Sequence, residues 1–253
     1  MRFASLGSGS RGNGTLVEEG STCLLIDCGF SARETERRLA RLGRAPGELS
    51  AILVTHEHGD HLRGVGVLAR RYRLPVWMTP GTRAACAGEE IPGLELFNAH
   101  EPFALGAIEV TPYPVPHDAR EPAQFRFGNG AATLGLLTDS GWITPHIVAT
   151  LARCDALLLE CNHDPELLAR GPYPRFLKER VGGQLGHLSN QQAVELLSEV
   201  DRGRLQHVVA AHLSEKNNTP AHVRAGLAGV LGCRPEEIDV ACQEQGFGWR
   251  EVR

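Results

Sequence analysis

Ile52-Leu53-Val54-Thr55-His56-Glu57-His58-Gly59-Asp60-His61 places four potential metal ligands within six positions, directly after an apolar run. The run at 51–55 predicts a short strand, and after a strand residues i and i+2 project the same way, so His56 and His58 can grip one ion. Gly59 is expected to free the backbone for a sharp turn that aims Asp60 and His61 at a neighbouring ion. Neutral imidazole and carboxylate suit zinc or manganese. A lone histidine would be read as part of a solvated loop. Four ligand-type side chains at this spacing behind a strand are read as a metal site.

Outward from the cluster, the pattern predicts strands at 2–6, 15–18 and 22–26, then a helix opened by Ser31 with Glu34 as a capping box and closed by Gly43. A helix at 63–72 and a strand at 76–78 follow. Further strands are expected at 108–112, 133–138, 156–159, 208–211 and 238–241. Helices are expected at 145–154, from the Ser189/Gln192 capping box to about 200, and at 220–231. Strands predominate early and helices separate the later ones, which suits two sheets covered by helices.

The 253 residues are 42% hydrophobic, enough for an ample core, and no Pro/Ser-rich linker divides them, so one domain over 1–253 is expected. No secretory signal is visible at Met1-Arg2-Phe3, and no apolar run approaches the roughly 20 residues of a membrane helix. The seven cysteines are odd in number, scattered and without a C-x-x-C pair, which reads as reduced thiols in a cytoplasmic protein. The net charge of −4 carries no nucleic-acid signature. Lys178 and Lys216 are the only lysines among 26 basic residues. Arginine favours phosphate contacts, and GC-rich coding produces the same bias.

Gly7, Gly9 and Gly12 satisfy G-x-G-x-x-G, but a dinucleotide loop must open a helix, and Gly14-Thr15-Leu16-Val17 reads as a strand; NAD binding is rejected. Arg33, Arg37, Arg41 and Arg44 recur on one helical face with Glu34 and Glu36 interleaved, the pattern of a solvated face. Arg170, Arg175, Lys178 and Arg180 make the better candidates for phosphate contacts.

The His56–His61 cluster resembles the signature of the metallo-β-lactamase superfamily, and other matching pieces follow in order. Leu25-Ile26-Asp27-Cys28-Gly29 is similar to that family's early strand ending in Asp-x-Gly, whose aspartate supports the metal loop. Val115-Pro116-His117-Asp118, Leu137-Thr138-Asp139-Ser140-Gly141 and Val209-Ala210-Ala211-His212-Leu213-Ser214 resemble the segments that complete its ligand set. The resemblance implies an α/β fold, a four-layer αββα sandwich. It also implies two divalent ions, Zn2+ or Mn2+: one held by His56, His58 and His117, the other by Asp60, His61 and His212, with Asp139 bridging. A hydroxide shared by the ions would attack phosphorus, and Asp60 would orient it.

Leu6-Gly-Ser-Gly-Ser-Arg-Gly-Asn13, Glu160-Cys161-Asn162-His163-Asp164, Gly186-His187-Leu188-Ser189-Asn190 and His212-Leu213-Ser214-Glu215-Lys216-Asn217-Asn218 together are similar to the YycJ/WalJ branch, near ribonuclease Z. That branch implies a nuclease of 5′ to 3′ polarity, DNA favoured over RNA, and a link to replication or repair. His187, just before a helix N-cap, would contact the scissile phosphate or protonate the leaving 3′ oxygen; a plain capping-region histidine is the alternative. Ser8, Ser10 and Asn13 would meet phosphate, and Glu160, Asn162 and His163 would support the site or line its groove.

Three rivals stay open. A ribonuclease Z-like RNA nuclease usually carries a tRNA arm, and only 26 residues separate Glu160 from His187. A small-molecule ester or cyclic phosphodiester hydrolase would share every ligand. A metal-stabilised binding protein would more often use a closed, cysteine-rich site. A β-CASP insertion has no room in the 72 residues between Asp139 and His212.

Overall fold

Apolar side chains alternate between opposite faces along the strands of the computed structural model, which describes residues 1–88 and 90–253. In β1 (Arg2–Gly7), β2 (Gly14–Glu19), β3 (Thr22–Ile26), β4 (Ala51–Leu53), β5 (Val76–Met78) and β6 (Leu94–Leu96) they form one sheet. A second contains β7 (Phe103–Leu105), β8 (Ile108–Pro114), β9 (Ala123–Gly128), β10 (Thr133–Leu137), β11 (Ala156–Glu160), β12 (His207–Ala211) and β13 (Asp239–Val240). The chain then returns to the first sheet, where β14 (Phe247–Glu251) pairs antiparallel with β1.

Three apolar layers follow from the alternation. Leu24, Ile26 and Leu53 face Phe125, Leu136, Leu158 and Val209 between the sheets. Leu25, Ile52 and Val54 point the other way, onto Leu39 of α1 (Ala32–Arg41) and Leu68 of α3 (Val65–Tyr72), which follows the single turn α2 (Gly59–Leu62). α4 (Pro80–Ala85) follows β5. Leu157, Leu159 and Ala210 turn outward onto Ile147 of α5 (Pro145–Leu151). α6 (Pro165–Arg170) and α7 (Arg175–Val181) come next in the chain. The same outer layer takes Leu196 of α8 (Asn190–Glu199) and Leu227 of α9 (Pro220–Leu231). The result is the expected four-layer αββα sandwich.

Parallel pairing brings strand ends together. Ile26 of β3 stands opposite Leu53 of β4, Leu137 of β10 opposite Leu159 of β11, and Glu160 of β11 opposite Ala211 of β12. The residues that follow these strands, among them Asp27, His56, Asp139 and His212, therefore emerge at shared carboxyl ends, where open α/β sheets place their sites.

Several expectations need correction. The expected strands omit β6, β7, β9 and β14, and the expected helices omit α2, α4, α6 and α7. Ser31 caps the Glu34 N–H, but the Glu34 carboxylate is taken by Arg37 and Arg38, so the box is half formed. The Ser189/Gln192 box is complete. The sharp turn expected at Gly59 is the helical turn α2, which does not require glycine there: a Cβ would meet nothing within 4 Å.

Candidate metal centre

A web of buried hydrogen bonds fixes the histidine loop before any ligand is considered. At the end of β3, Asp27 adopts φ 61, and its carboxylate accepts from the Thr55 N–H at 2.8 Å and from the Thr55 hydroxyl. It lies 2.7 Å from His61 Nδ1. A carboxylate can only accept, so His61 carries its proton on Nδ1 and presents Nε2 inward. The Thr55 hydroxyl also lies 2.9 Å from His56 Nδ1, and the Gly186 carbonyl accepts from His117 Nδ1 at 2.9 Å. Glu160 repeats the Asp27 arrangement on the other side: its Oε1 is 3.1 Å from His212 Nδ1 and 2.9 Å from His187 Nδ1, while Oε2 accepts from the Ser140 and Leu188 N–H groups.

The inward-facing atoms converge. Ligand atoms of His56, His58 and His117 lie within 4.8 Å of one another, as do those of Asp60, His61 and His212. Asp139 joins His56 and His61 in a third such group and stands between the first two, 3.1 Å from His61 Nε2, 3.7 Å from His212 Nε2 and 3.8 Å from His117 Nε2. Asp139 (φ 53) and His212 (φ 54), like Asp27, sit in the left-handed region, where non-glycine residues pay strain that concentrates at functional sites.

Two features show what the cluster lacks. His56 Nε2, Asp139 Oδ2 and His212 Nε2 are buried without a hydrogen-bond partner, a costly state unless something binds them. The charges also call for a cation. Burial opposes the charge on His61, but Asp139, Asp27 and Asp60 outweigh it and hold its pKa well above the ordinary value. Burial likewise opposes charge on His212, yet Asp139, Asp60 and Glu160 push its pKa up to about 10. Burial would keep Asp139 neutral, but the surrounding histidines, His212 foremost, hold it well below the carboxylate range. His56, buried beside His61, goes the other way and stays neutral. The cluster thus favours positive charge at its centre, and an all-imidazole and carboxylate donor set fits divalent ions.

Comparison with known proteins gives the same answer. Residues 22–212 match the family model for the β-lactamase superfamily domain. The chain belongs to the β-lactamase superfamily. Within it, the chain is 35% identical over 256 residues to the exodeoxyribonuclease YycJ of Bacillus anthracis, covering all of this chain and 93% of the relative. It is 35% identical over 224 residues to the exodeoxyribonuclease WalJ of Streptococcus pneumoniae, covering 86% of this chain and 83% of that one. Among solved structures, Zn2+-bound PqqB of Methylobacterium extorquens aligns over both whole chains with a TM-score of 0.76 at 16% identity, a likeness of fold. The chain is thus a metallo-β-lactamase-fold hydrolase, with candidate His/Asp clusters for the divalent metals its family binds.

The structure separates the remaining superfamily candidates. His187 lines a cavity of about 340 Å3 together with Ser10, His58, Asp60, Asp139, Tyr173, Leu177, Arg180 and His212. Ser10 is exposed there. Ser8, Asn13, Glu160, Asn162 and His163 are not free for substrate: all are buried. The Ser8 hydroxyl accepts from the His212 N–H, Asn13 accepts from the Gly9 N–H, and Asn162 donates to the His212 carbonyl. Ser8, Glu160 and Asn162 thereby brace His212, and Asn13 braces Asp60.

Along α1 and just beyond it, Arg37 pairs with Glu34, Arg41 with backbone carbonyls and Arg44 with Glu18. Thr55 and Gly186 escaped the sequence reading; Thr55 carries a signal in standing directly before His56. Asp118 was noted only as a neighbour of His117. Its carboxylate lies 3.5 Å from His117 Nε2 and 2.6 Å from Arg180 Nε, which ties α7 to the centre.

Proposed function

We propose that the chain is a binuclear metal-dependent phosphodiesterase that degrades DNA from the 5′ end. The observation that carries the reading is the meeting of two ligand triads across Asp139, with three of their buried polar atoms unpartnered. The choice of nucleic acid rests on the exodeoxyribonuclease relatives. His56, His58 and His117 would hold one ion, Asp60, His61 and His212 the other, with Asp139 between, the ions being Zn2+ or Mn2+. When bound, such ions lower the pKa of water towards about 7 and neutralise charge on phosphoryl oxygens.

The side chains do the rest. Asp60 is part-exposed in the cavity, so its carboxylate can orient the attacking water as well as bind metal. Asp27 and Glu160 keep the ligand imidazoles in the tautomer that points Nε2 inward. His187 donates a hydrogen bond from Nδ1–H to the buried Glu160 carboxylate, which leaves Nε2 free; in the imidazolium form Nε2–H would contact the scissile phosphate and pass its proton to the leaving 3′ oxygen. Arg180, with its Nε on Asp118, offers its remaining N–H groups to a neighbouring phosphate.

Purified protein supplied with Mn2+ or Zn2+ and offered 5′-phosphorylated DNA, matching RNA, pre-tRNA and bis(p-nitrophenyl) phosphate tests this. Cleavage of the DNA is expected, with loss of at least about a hundredfold in kcat for Asp60→Ala, the scale of removing a group that acts on the nucleophile. Turnover of the small ester alone sinks the nuclease reading. Full DNA turnover by Asp60→Ala sinks the mechanism.

A further inference from the structure

Phe176 is 71% exposed, the highest value among the large apolar side chains exposed in the described structure. It is set among charged neighbours, between Arg175 and Lys178 on α7. It lies one helical turn before Arg180, so the two share a side of the helix at the lip of the metal cleft. Three residues ahead of it Tyr173 lines that cleft, with Leu177, Arg180 and Val181. Lys216 Nζ, from the loop that follows His212, stands 5.9 Å from the centre of the Tyr173 ring. Two aromatic rings, one in the cleft and one at its lip, are therefore flanked by cations. Aromatic rings flanked by cations are the usual means of holding single-stranded nucleic acid without reading its sequence, because every base has a face to stack and every link a phosphate.

The size of the cleft points the same way. About 340 Å3 lies at the low end of small-ligand sites, roughly 300–1,000 Å3, which suits one nucleotide unit.

We infer that Tyr173 and Phe176 form a stacking platform for unpaired bases at the end of a single strand, Tyr173 taking the base nearest the metal centre and Phe176 its neighbour. Arg180 and Lys216 meet the phosphates between them. The inference rests on the nuclease reading above and adds its substrate form: the end is unpaired before it is cut.

The test compares a 5′-phosphorylated single-stranded oligodeoxynucleotide with the same strand lacking its first two bases, sugars and phosphates kept, using the Mn2+-loaded full chain. Intact strands are expected to exceed abasic ones in kcat/KM by about 5- to 150-fold per base, the range measured for base–aromatic stacking. Tyr173→Ala should lower kcat/KM on the intact strand by a similar factor, mainly through KM, and should erase the difference at the first base. Tyr173→Phe should keep it, while Tyr173→Leu should behave as the alanine variant. Phe176→Ala should do the same at the second base. Equal rates on intact and abasic strands overturn the platform while leaving the nuclease reading intact, and so does a Tyr173→Phe variant as impaired as Tyr173→Ala. Failure to cleave any oligonucleotide removes both.

Discussion

His163 and Asp27 show how differently single residues can be read. Asp27 announced itself, because an apolar strand ending in Asp-x-Gly resembles a known support for the metal loop, and the structure gives it Thr55 and His61 to hold. Of the seven candidate ligands, His56, His58, Asp60 and His61 were legible from their spacing, whereas His117, Asp139 and His212 were legible only through the family resemblance; the structure brings all seven together. For His163 the sequence left two places open, in support of the site or along its groove. The residue is 4% exposed, and its Nδ1 has no partner; nothing in the run Glu160-Cys161-Asn162-His163-Asp164 marks which side chains turn inward.

That burial has a measurable consequence. Desolvation lowers the His163 pKa from 6.5 to about 4, with only partial compensation from Glu160. Between those values the unfolded chain binds a proton that the folded chain refuses, so stability rises with pH and falls on acidification. The slope is about 1.4 kcal/mol per pH unit, roughly 3 kcal/mol from pH 6.5 down to pH 4. Urea unfolding of the metal-free protein across this window should give a shallower pH dependence for His163→Leu than for the parent. Contributions from the rest of the chain are common to both proteins and cancel in the comparison. Parallel slopes would mean that His163 exchanges its proton freely in the folded state.

At the scale of elements, short apolar runs made most strands of both sheets readable, and capping residues placed α1 and α8. β9 was missed although Ala123, Phe125 and Phe127 alternate into the core, because Gln124 and Arg126 between them suggest a solvated loop while Gln124 is in fact buried against Thr138. β14 was missed because its partner, β1, lies at the opposite end of the chain.

The joint that matters most is where three loops cross. The Asn13 N–H donates to the Asp60 carbonyl at 2.8 Å, the Gly29 N–H to the Asn13 carbonyl at 2.9 Å, and the Cys28 N–H to the His61 carbonyl at 2.8 Å. A Cβ on Gly29 would stand 1.6 Å from the Asp60 carbonyl oxygen and 2.7 Å from the Asn13 nitrogen, both backbone atoms that cannot swing away. Gly29→Ala should therefore cost at least about 1–3 kcal/mol, the scale of forced overpacking, and weaken metal binding by displacing Asp60. Gly59→Ala, in the same loop with open space around its Cβ, should melt within a degree or two of the parent. Thermal melts and metal titrations of the two variants decide it: equal melting temperatures would mean that the crossing relaxes at little cost.

Across the whole molecule, the ligand set joins the two sheets. His56, His58, Asp60 and His61 follow β4 of the first sheet, whereas His117, Asp139 and His212 follow β8, β10 and β12 of the second. Four buried or half-buried carboxylates, Asp27, Asp60, Asp139 and Glu160, are gathered at that seam among the histidines. Ions held there would act as a clamp between the sheets, and a ligand that binds only the folded state stabilises it by mass action. At a free concentration a hundredfold above Kd the gain is about 2.7 kcal/mol per ion. For a chain of this size each kcal/mol moves the midpoint by about 2–4 °C, so chelation should lower Tm by roughly 5–11 °C for every ion lost. Adding back Mn2+ or Zn2+ should restore it. Asp139→Asn should shrink the metal-dependent shift, since the residue between the two ligand triads then offers a neutral amide in place of a charged oxygen. The melt is to be paired with elemental analysis: a protein shown to have lost its metal yet melting at an unchanged temperature would mean that the seam is held by apolar packing alone, and that the seven converging side chains do not grip cations tightly enough to matter to the fold.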